Sequence, residues 1–184
     1  MASRPHDRAG SCGLIGLLHA GIVVRRVLGQ NGVPFDMYKV RTMVIGADAQ
    51  RFDPAQQRDS LGKIVGDQRI LPCPWARFLR RNWFDELPQL VNIGRGEMKL
   101  VGIRPTPEDE WKDLYPAELM ERALEHKPGL MAIPYAFPLT ERFEDRFDQM
   151  HEYLDAYERD PRGADRAYFE RIVHNTVVCG VRSR

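Results

Sequence analysis

The chain has 184 residues, 43% of them hydrophobic and 29% charged, with a formal net charge of +1 at pH 7. This length and balance indicate one globular domain that can bury a core of its own, and they exclude collagen-like, disordered and small disulfide-scaffold proteins. The three cysteines, Cys12, Cys73 and Cys179, are far apart and match no zinc-binding spacing, so we expect reduced thiols in a cytosolic setting.

The small net charge conceals an uneven distribution along the chain. Residues 39–104 carry 12 basic and 7 acidic side chains, whereas residues 105–160 carry 6 basic and 15 acidic ones. A basic middle favours an anionic ligand or membrane headgroups as its partner, although solvated faces of surface helices explain the same charges. We expect no nucleic-acid partner, because the basic residues are spread out and match no nucleic-acid-binding motif.

The N-terminal residues contain one apolar stretch, Leu14 to Val24, which is too short to span a membrane. It lacks the small-residue cleavage site of a signal peptide, and Arg25 and Arg26 follow at once, so we reject a signal peptide. We therefore treat residues 1–23 as a separate N-terminal segment.

Two strands are predicted in the rest of the chain. Gly29–Gly32 is a turn signal, and Val33–Val44 follows it with many β-branched and aromatic residues. Because side chains alternate along a strand, Lys39 and Arg41 are expected on the same side. The second strand is predicted at Lys99–Ile103.

Helices are predicted over most of the remaining sequence. Trp75–Arg81 fits a short helix with Trp75, Phe78 and Leu79 directed inward. Other helices are predicted near Ala47–Phe52 and at Pro107–Leu114, Pro116–His126, Phe147–Glu158 and Ala164–Cys179. These patterns predict a mixed α/β (α+β) fold dominated by helices, a single compact domain with a small β element from residues 33–44 and 99–103.

A pair of carboxylates, Asp85 and Glu86, begins a further predicted helix, with Asp85 as its N-cap and Glu86 in an acidic first turn. The chain has no P-loop, no dinucleotide-binding glycine motif, no HExxH and no GxSxG. What it has instead is a series of basic groups suited to binding phosphate around this pair, namely Lys39, Arg41, Arg69, Arg80 and Arg104.

The same residues, taken singly, also fit a purely structural interpretation. Asp85 and Glu86 match a helix cap and a dipole-favoured first turn. Lys39 and Arg41 match the wet face of a half-buried strand, and Arg104 matches a solvated turn residue. The order of the surrounding motifs distinguishes the two interpretations.

That order resembles the bacterial sugar transferases, the monotopic polyprenyl-phosphate phosphoglycosyl transferases that start exopolysaccharide, O-antigen and glycan assembly. The motifs are FxxYKxRTM at Phe35–Met43, DxRI at Asp67–Ile70, LRx4DELPQL at Leu79–Leu90, GEMxLVGxRP at Gly96–Pro105 and KPG at Lys127–Gly129. The resemblance implies a catalytic domain over residues 24–184, with a compact helix-plus-hairpin arrangement.

The resemblance also implies an enzyme that moves a phosphosugar from a nucleotide diphosphate sugar, with a UDP-sugar as the expected donor, to polyprenyl phosphate. Asp85 would attack the sugar-linked phosphate and carry the phosphosugar, which polyprenyl phosphate then accepts. Glu86 would hold Mg²⁺, the expected cofactor. The substrate phosphates would be bound by the basic residues Lys39, Arg41, Arg69, Arg80 and Arg104.

The chain departs from the family pattern in two places. Nothing with the length of the family's hydrophobic re-entrant helix precedes Gly29 in this sequence, so we expect that membrane helix to be absent or truncated in residues 1–23. The run Leu130–Phe137 replaces a TGxxQ-like sequence after KPG, where substrate contacts are expected.

These departures leave alternatives open for location and for function. We expect the cytoplasmic face of the inner membrane, with peripheral or monotopic attachment, or a soluble cytoplasmic protein if the anchor is truly absent. The alternative function is a catalytically degenerate family member that acts as a binding or assembly partner in glycan synthesis.

Overall fold

A computed structural model describes residues 21–47, 57–64 and 67–180 of the chain. Within these ranges there are six α-helices and two small sheets of two strands each. This confirms the helix-dominated α/β fold with a β-hairpin. The predicted helix near Ala47–Phe52 and residues 1–20 of the N-terminal segment lie outside the described residues.

The elements follow one another with short connections. The strands are β1 (Ile22–Leu28), β2 (Pro34–Val40), β3 (Lys99–Gly102) and β4 (Gly129–Ala132). The α-helices are α1 (Pro74–Arg81), α2 (Leu90–Gly94), α3 (Glu108–Leu114), α4 (Ala117–Leu124), α5 (Asp145–Arg159) and α6 (Pro161–Val177). The helices predicted in these regions are confirmed, with ends that differ by a few residues.

The first sheet is an antiparallel hairpin in which Ile22 of β1 lies opposite Val40 of β2. Asn31 and Gly32 in its turn have φ of 58° and 69°, a left-handed conformation that asparagine and glycine tolerate best. The turn and the strand after it are confirmed, but that strand ends at Val40 rather than Val44. Beyond Val40 the chain leaves the hairpin and pairs with the segment around Ile70.

The second sheet joins β3 and β4 in parallel, with Lys99 opposite Gly129. A Cβ atom on Gly129 would lie 2.0 Å from the backbone nitrogen of Gly102, so the close approach of the two strands, here called the β3–β4 crossing, requires glycine. The prediction of one β element from residues 33–44 and 99–103 is therefore wrong. The two segments lie in separate sheets, because β3 finds its partner in β4.

The main hydrophobic core lies between the β3–β4 sheet and the helices α3 to α6. Its most deeply buried side chains are Leu119, Ile133, Met150, Tyr153, Leu154 and Ile172. A smaller cluster of Val27, Phe35, Met37 and Met98 lies under the hairpin. The hairpin and the helical body are thus stabilised by separate apolar contacts.

One surface of the protein is apolar although it faces solvent. Phe78, Phe84, Leu87, Leu90 and Val91 are each between 44% and 57% exposed, and we call these five residues the apolar surface. The prediction that Phe78 points inward is wrong, because only Ala76 of α1 is buried. The Phe78 and Phe84 rings contact each other, with centroids 5.8 Å apart.

The two cysteines of the described ranges differ in state. Cys73, which precedes α1, is disulfide-bonded, so the prediction of reduced thiols is wrong for this residue, whereas Cys179 is a free and exposed thiol.

None of the helices in the described ranges has both the length and the hydrophobicity to cross a membrane.

The crossing of β3 and β4 predicts a strong effect of Gly129→Ala. The added methyl group would overlap the backbone of Gly102, so we expect a loss of about 1–3 kcal/mol in the free energy of unfolding. Gly94→Ala is the matched control, because no atom of the described residues lies within 4 Å of a Cβ at that position. Urea denaturation measures both variants, and equal stability of the two would contradict the crossing.

Candidate functional site

Asp85 and Glu86 lie in the first turn of a 3₁₀ helix, Phe84–Gln89, that runs into α2. Trp83 precedes this helix with a left-handed backbone (φ 61°), and no side chain caps the helix. The prediction that Asp85 is the N-cap is wrong, since it lies inside the turn. A left-handed tryptophan costs roughly 1–2 kcal/mol. Its ring packs edge-on against Tyr135, with centroids 4.7 Å apart, which stabilises this conformation.

Both carboxylates line a cavity of about 330 Å³. The basic residues predicted to bind phosphate line the same cavity: Lys39 from β2, Arg41 just after it, Arg69 from the DxRI motif, Arg80 from α1 and Arg104 after β3. The structure thus brings all seven sequence-predicted residues together, while their roles remain predictions. Nine basic and five acidic side chains of the described ranges line the cavity, which favours an anionic ligand.

Glu86 is held between two cations. Its Oε1 accepts a hydrogen bond from Lys39 Nζ and another from Arg104 Nη2, each 2.9 Å long. Burial alone would raise the pKa of the Glu86 carboxyl, but the charges of Arg104 and Lys39 outweigh burial and hold this pKa well below its ordinary value. Glu86 is therefore a fixed anion, and its Oε2 receives no hydrogen bond from the part of the chain that the structure describes.

The pKa values of the two cations bound to Glu86 shift in opposite directions. Burial, helped by the nearby charge of Arg104, lowers the pKa of the Lys39 ammonium. The Glu86 carboxylate raises the pKa of the Arg104 guanidinium, against the effect of burial. A second anion in the cavity would favour the charged form of Lys39, so these groups suit a ligand that brings negative charge.

Asp85 differs from Glu86 in having no partner among the described residues. It is 6% exposed, and within the described ranges its carboxylate makes no hydrogen bond or ion pair. Its negative charge interacts with the charges of Lys39 and Arg104. A carboxylate with uncommitted lone pairs, facing a cation-rich cavity, has the arrangement that a nucleophile toward phosphate requires.

The remaining predicted arginines differ in how their donors are used. Arg69 donates to Asp67 through Nε and Nη2, at 2.9 and 2.8 Å, which ties the DxRI turn together. Arg80 donates from Nη1 to Thr42 Oγ1 at 3.3 Å, and its buried Nε has no hydrogen-bond partner within the described ranges. Arg80 thus keeps an unused donor beside the cavity.

Sequence reasoning missed four basic residues that line the cavity: Arg25, Arg58, Lys63 and Arg146. Arg25 pairs with Glu110, and Arg58 and Lys63 belong to a loop closed by the bridge between Arg58 and Ile64. These segments have no periodic pattern or motif, so the sequence carries no signal that would have placed them.

The run Leu130–Phe137 does not line this cavity. It forms β4 and a short 3₁₀ helix whose residues, Ile133 to Ala136, are all buried in the core. The expectation that this run contacts substrate is therefore not supported by its position.

The residues present fit a magnesium ion. The described ranges contain no group of three or more histidine, cysteine, aspartate and glutamate side chains that could hold a metal. Mg²⁺, however, is usually bound by one or two carboxylates, with waters and substrate phosphates as its other ligands. Glu86, whose Oε2 accepts no hydrogen bond from the described residues, matches that requirement.

Comparison with known proteins decides the family. A family model described as bacterial sugar transferase matches residues 15–158 of the chain. The chain belongs to the bacterial sugar transferase family. The Asp85–Glu86 cavity is therefore the candidate active site of a bacterial sugar transferase.

Individual relatives agree with the family. The chain is 31% identical over 153 residues to galactosyl transferase CpsE of Streptococcus agalactiae, an alignment that covers 72% of this chain and 33% of that protein. It is 38% identical over 109 residues to the UDP-glucose:undecaprenyl-phosphate glucose-1-phosphate transferase of Caulobacter vibrioides. That alignment covers 57% of this chain and 36% of that protein. It is 39% identical over 115 residues to the exopolysaccharide production protein ExoY of Sinorhizobium fredii. That alignment covers 59% of this chain and 49% of that protein. The alignments thus span about a third to a half of each relative's length.

The lowered pKa of Lys63 predicts that anion binding in the cavity depends on pH. Burial and the charges of Arg104 and Arg80 lower the pKa of the Lys63 ammonium to about 7. A bound anion favours the protonated form, so we expect the Kd of sulfate, which does not titrate in this range, to rise several-fold from pH 6 to pH 8. Isothermal titration calorimetry measures this change.

Lys63→Met should remove most of that pH dependence, because the titrating group is gone. Lys112→Met is the matched control, since Lys112 is exposed on α3 and does not line the cavity. The same pH dependence in the Lys63→Met variant and the parent protein would exclude Lys63 as its source.

Proposed function

We propose that the protein transfers a phosphosugar from a nucleotide diphosphate sugar, with a UDP-sugar as donor, to polyprenyl phosphate in polysaccharide biosynthesis. The observation that carries this proposal is the Asp85 carboxylate, which has no partner among the described residues and lines a cavity where the described cations outnumber the anions. Membership of the bacterial sugar transferase family supports it. So does the relative from Caulobacter vibrioides, whose name describes transfer of glucose 1-phosphate to undecaprenyl phosphate.

The reaction has two displacements at one phosphorus atom. An Asp85 carboxylate oxygen attacks the phosphorus that bears the sugar, and the bond between that phosphorus and the bridging oxygen breaks. The bonding electrons leave with the nucleoside monophosphate, and Asp85 is left esterified to the phosphosugar. A phosphate oxygen of polyprenyl phosphate then attacks the same phosphorus and releases Asp85 as a free carboxylate.

Fixed cations make the approach of two anions feasible. Because Glu86 holds Lys39 and Arg104 in place, their charges require little reorganisation when a diphosphate enters. Arg80 adds the unused donor described above. Mg²⁺ held by Glu86 would supply further neutralisation of the diphosphate.

The 3₁₀ helix that carries Asp85 has a reversed distribution of polar and apolar residues. Asp85 and Gln89 are buried, whereas Phe84 and Leu87 are exposed. A helix on the surface of a soluble domain normally buries its apolar side. The apolar surface therefore suits contact with lipid, and we include in the proposal peripheral binding to the cytoplasmic face of the inner membrane, where polyprenyl phosphate is accessible.

The alternative of a catalytically degenerate binding partner has less support. Its motives were the altered run Leu130–Phe137 and the missing membrane helix, and of these the altered run packs in the core rather than in the cavity. The carboxylates and cations that the reaction requires are all present in the cavity.

Asp85→Asn tests the nucleophile. Incubated in detergent with polyprenyl phosphate, Mg²⁺ and a panel of UDP-sugars, the parent protein should release UMP with at least one donor. Asp85→Asn should release none above background, because the amide is a poor nucleophile. Without acceptor, intact mass should show a phosphosugar adduct on the parent protein alone.

Asp113→Asn is the matched control, since Asp113 is exposed on α3 and outside the cavity. Equal UMP release by Asp85→Asn and the parent protein would remove Asp85 from the nucleophile role. Absence of release with every donor would favour the degenerate alternative.

Leu87→Asp tests the contact with lipid. A charge on the apolar surface should oppose insertion, so we expect several-fold less protein to float with vesicles of phosphatidylethanolamine and phosphatidylglycerol. Val177→Asp is the control, because Val177 is 71% exposed at the end of α6 and does not belong to the apolar surface. The same loss in both variants, or no loss in either, would contradict the assignment.

A further inference from the structure

A buried arginine lines the cavity without an acidic partner in the part of the chain that the structure describes. Arg146, the second residue of α5, is 4% exposed. Within the described ranges its side chain makes no ion pair or hydrogen bond, and its Nε is buried and unsatisfied. A buried charge normally has a counter-ion, because removing it from water is unfavourable. Arg146 therefore has unused donors at a cavity wall.

The Arg146 guanidinium is held firmly in spite of this. Its central carbon lies 5.2 Å from the centroid of the Tyr115 ring and 5.0 Å from that of Phe143. Gly62, with φ of 74°, packs against it so closely that a Cβ there would lie 2.0 Å from Nη1. Aromatic faces attract the charge but accept no strong hydrogen bond, so the donors stay available.

Arg146 and Glu86 line the same cavity but contact different residues. The cations that act most strongly on Glu86 are Arg104, Lys39 and Lys63. Arg146 packs against Tyr115, Phe143 and Gly62, and the charge of Arg104 reaches Tyr115 as well. Glu110, an acidic residue whose charge acts on Tyr115, forms an ion pair with Arg25. Arg146 thus adds to the cavity wall a cation that is held by contacts of its own, apart from the hydrogen bonds around Glu86.

We propose that Arg146 is a second anion-binding subsite, which takes a phosphate or carboxylate of the donor other than the phosphate attacked by Asp85. The inference rests on the proposed function, because it assigns this subsite to the nucleotide diphosphate sugar. A planar guanidinium presents parallel donors that match the two oxygens of either group. In such a donor the group is either the nucleotide-side phosphate or the carboxylate of an acidic sugar.

Binding measurements distinguish these two sources without requiring turnover. In the Asp85→Asn background, isothermal titration calorimetry gives the Kd of UMP, UDP-glucose and UDP-glucuronate with and without Arg146→Met. Loss of a charge-assisted hydrogen-bonding group should raise the affected Kd about tenfold or more. Weaker binding of all three ligands assigns the nucleotide-side phosphate, and weaker binding of UDP-glucuronate alone assigns a sugar carboxylate.

Arg142→Met is the matched control, since Arg142 lies four residues earlier, is 76% exposed and does not line the cavity. Thermal unfolding separates binding from a purely structural role. Removing an unpaired buried charge should leave the unfolding temperature of ligand-free protein unchanged or raise it. Unchanged Kd values, or a lowered unfolding temperature with all affinities retained, would overturn the subsite. The subsite would also be overturned if the Asp85→Asn protein with Arg146 intact bound none of the three ligands.

Failure of the subsite and failure of the transferase proposal remain distinguishable. If Asp85→Asn abolishes UMP release while Arg146→Met leaves every Kd unchanged, only the subsite is wrong. If Asp85→Asn still releases UMP while Arg146→Met weakens binding, the subsite stands and the covalent mechanism is wrong.

Discussion

The hydrogen bonds from Lys39 and Arg104 to one oxygen of Glu86 join three segments that are far apart in the sequence. Lys39 belongs to the hairpin, Glu86 to the 3₁₀ helix, and Arg104 follows β3. Each of these groups is largely removed from water, so any one of them alone would be unfavourable in this position. Together they fix the relative positions of the hairpin and the helical body, and the cavity exists where these parts meet.

A second set of polar contacts also fixes the hairpin relative to the helical body. Asn92 of α2 is fully buried and donates to the backbone oxygen of Asp36 at 2.8 Å, and its Oδ1 accepts from the nitrogen of Tyr38 at 3.4 Å. These bonds attach α2 to β2. Because the 3₁₀ helix runs directly into α2, they also fix the distance of Asp85 from Lys39. A buried amide is well suited to this role, since it satisfies strand groups without adding charge.

The sequence was informative where the chemistry is carried by motifs and less so where tertiary contacts decide. The seven residues chosen from motifs line one cavity because each motif brings a charged group to a defined position in the fold. Strand β1 was missed because Arg25 and Arg26 interrupt its alternation, and β4 because a four-residue strand is stable only against β3. Arg146 was missed for a related reason: within a charged helix start, nothing in the sequence distinguishes a buried arginine from a solvated one.

The 3₁₀ helix separates two environments, and this bears on why a covalent intermediate suits the proposed reaction. Asp85 lies on its inner side, towards the cations, while Phe84 and Leu87 lie on its outer, apolar side. A nucleotide sugar is strongly anionic and enters from water, whereas a polyprenyl chain must stay with lipid. If the phosphosugar is first attached to Asp85, the nucleotide leaves before the lipid phosphate arrives. The cations around Glu86 then neutralise one substrate at a time, so two highly charged phosphates need not share the cavity.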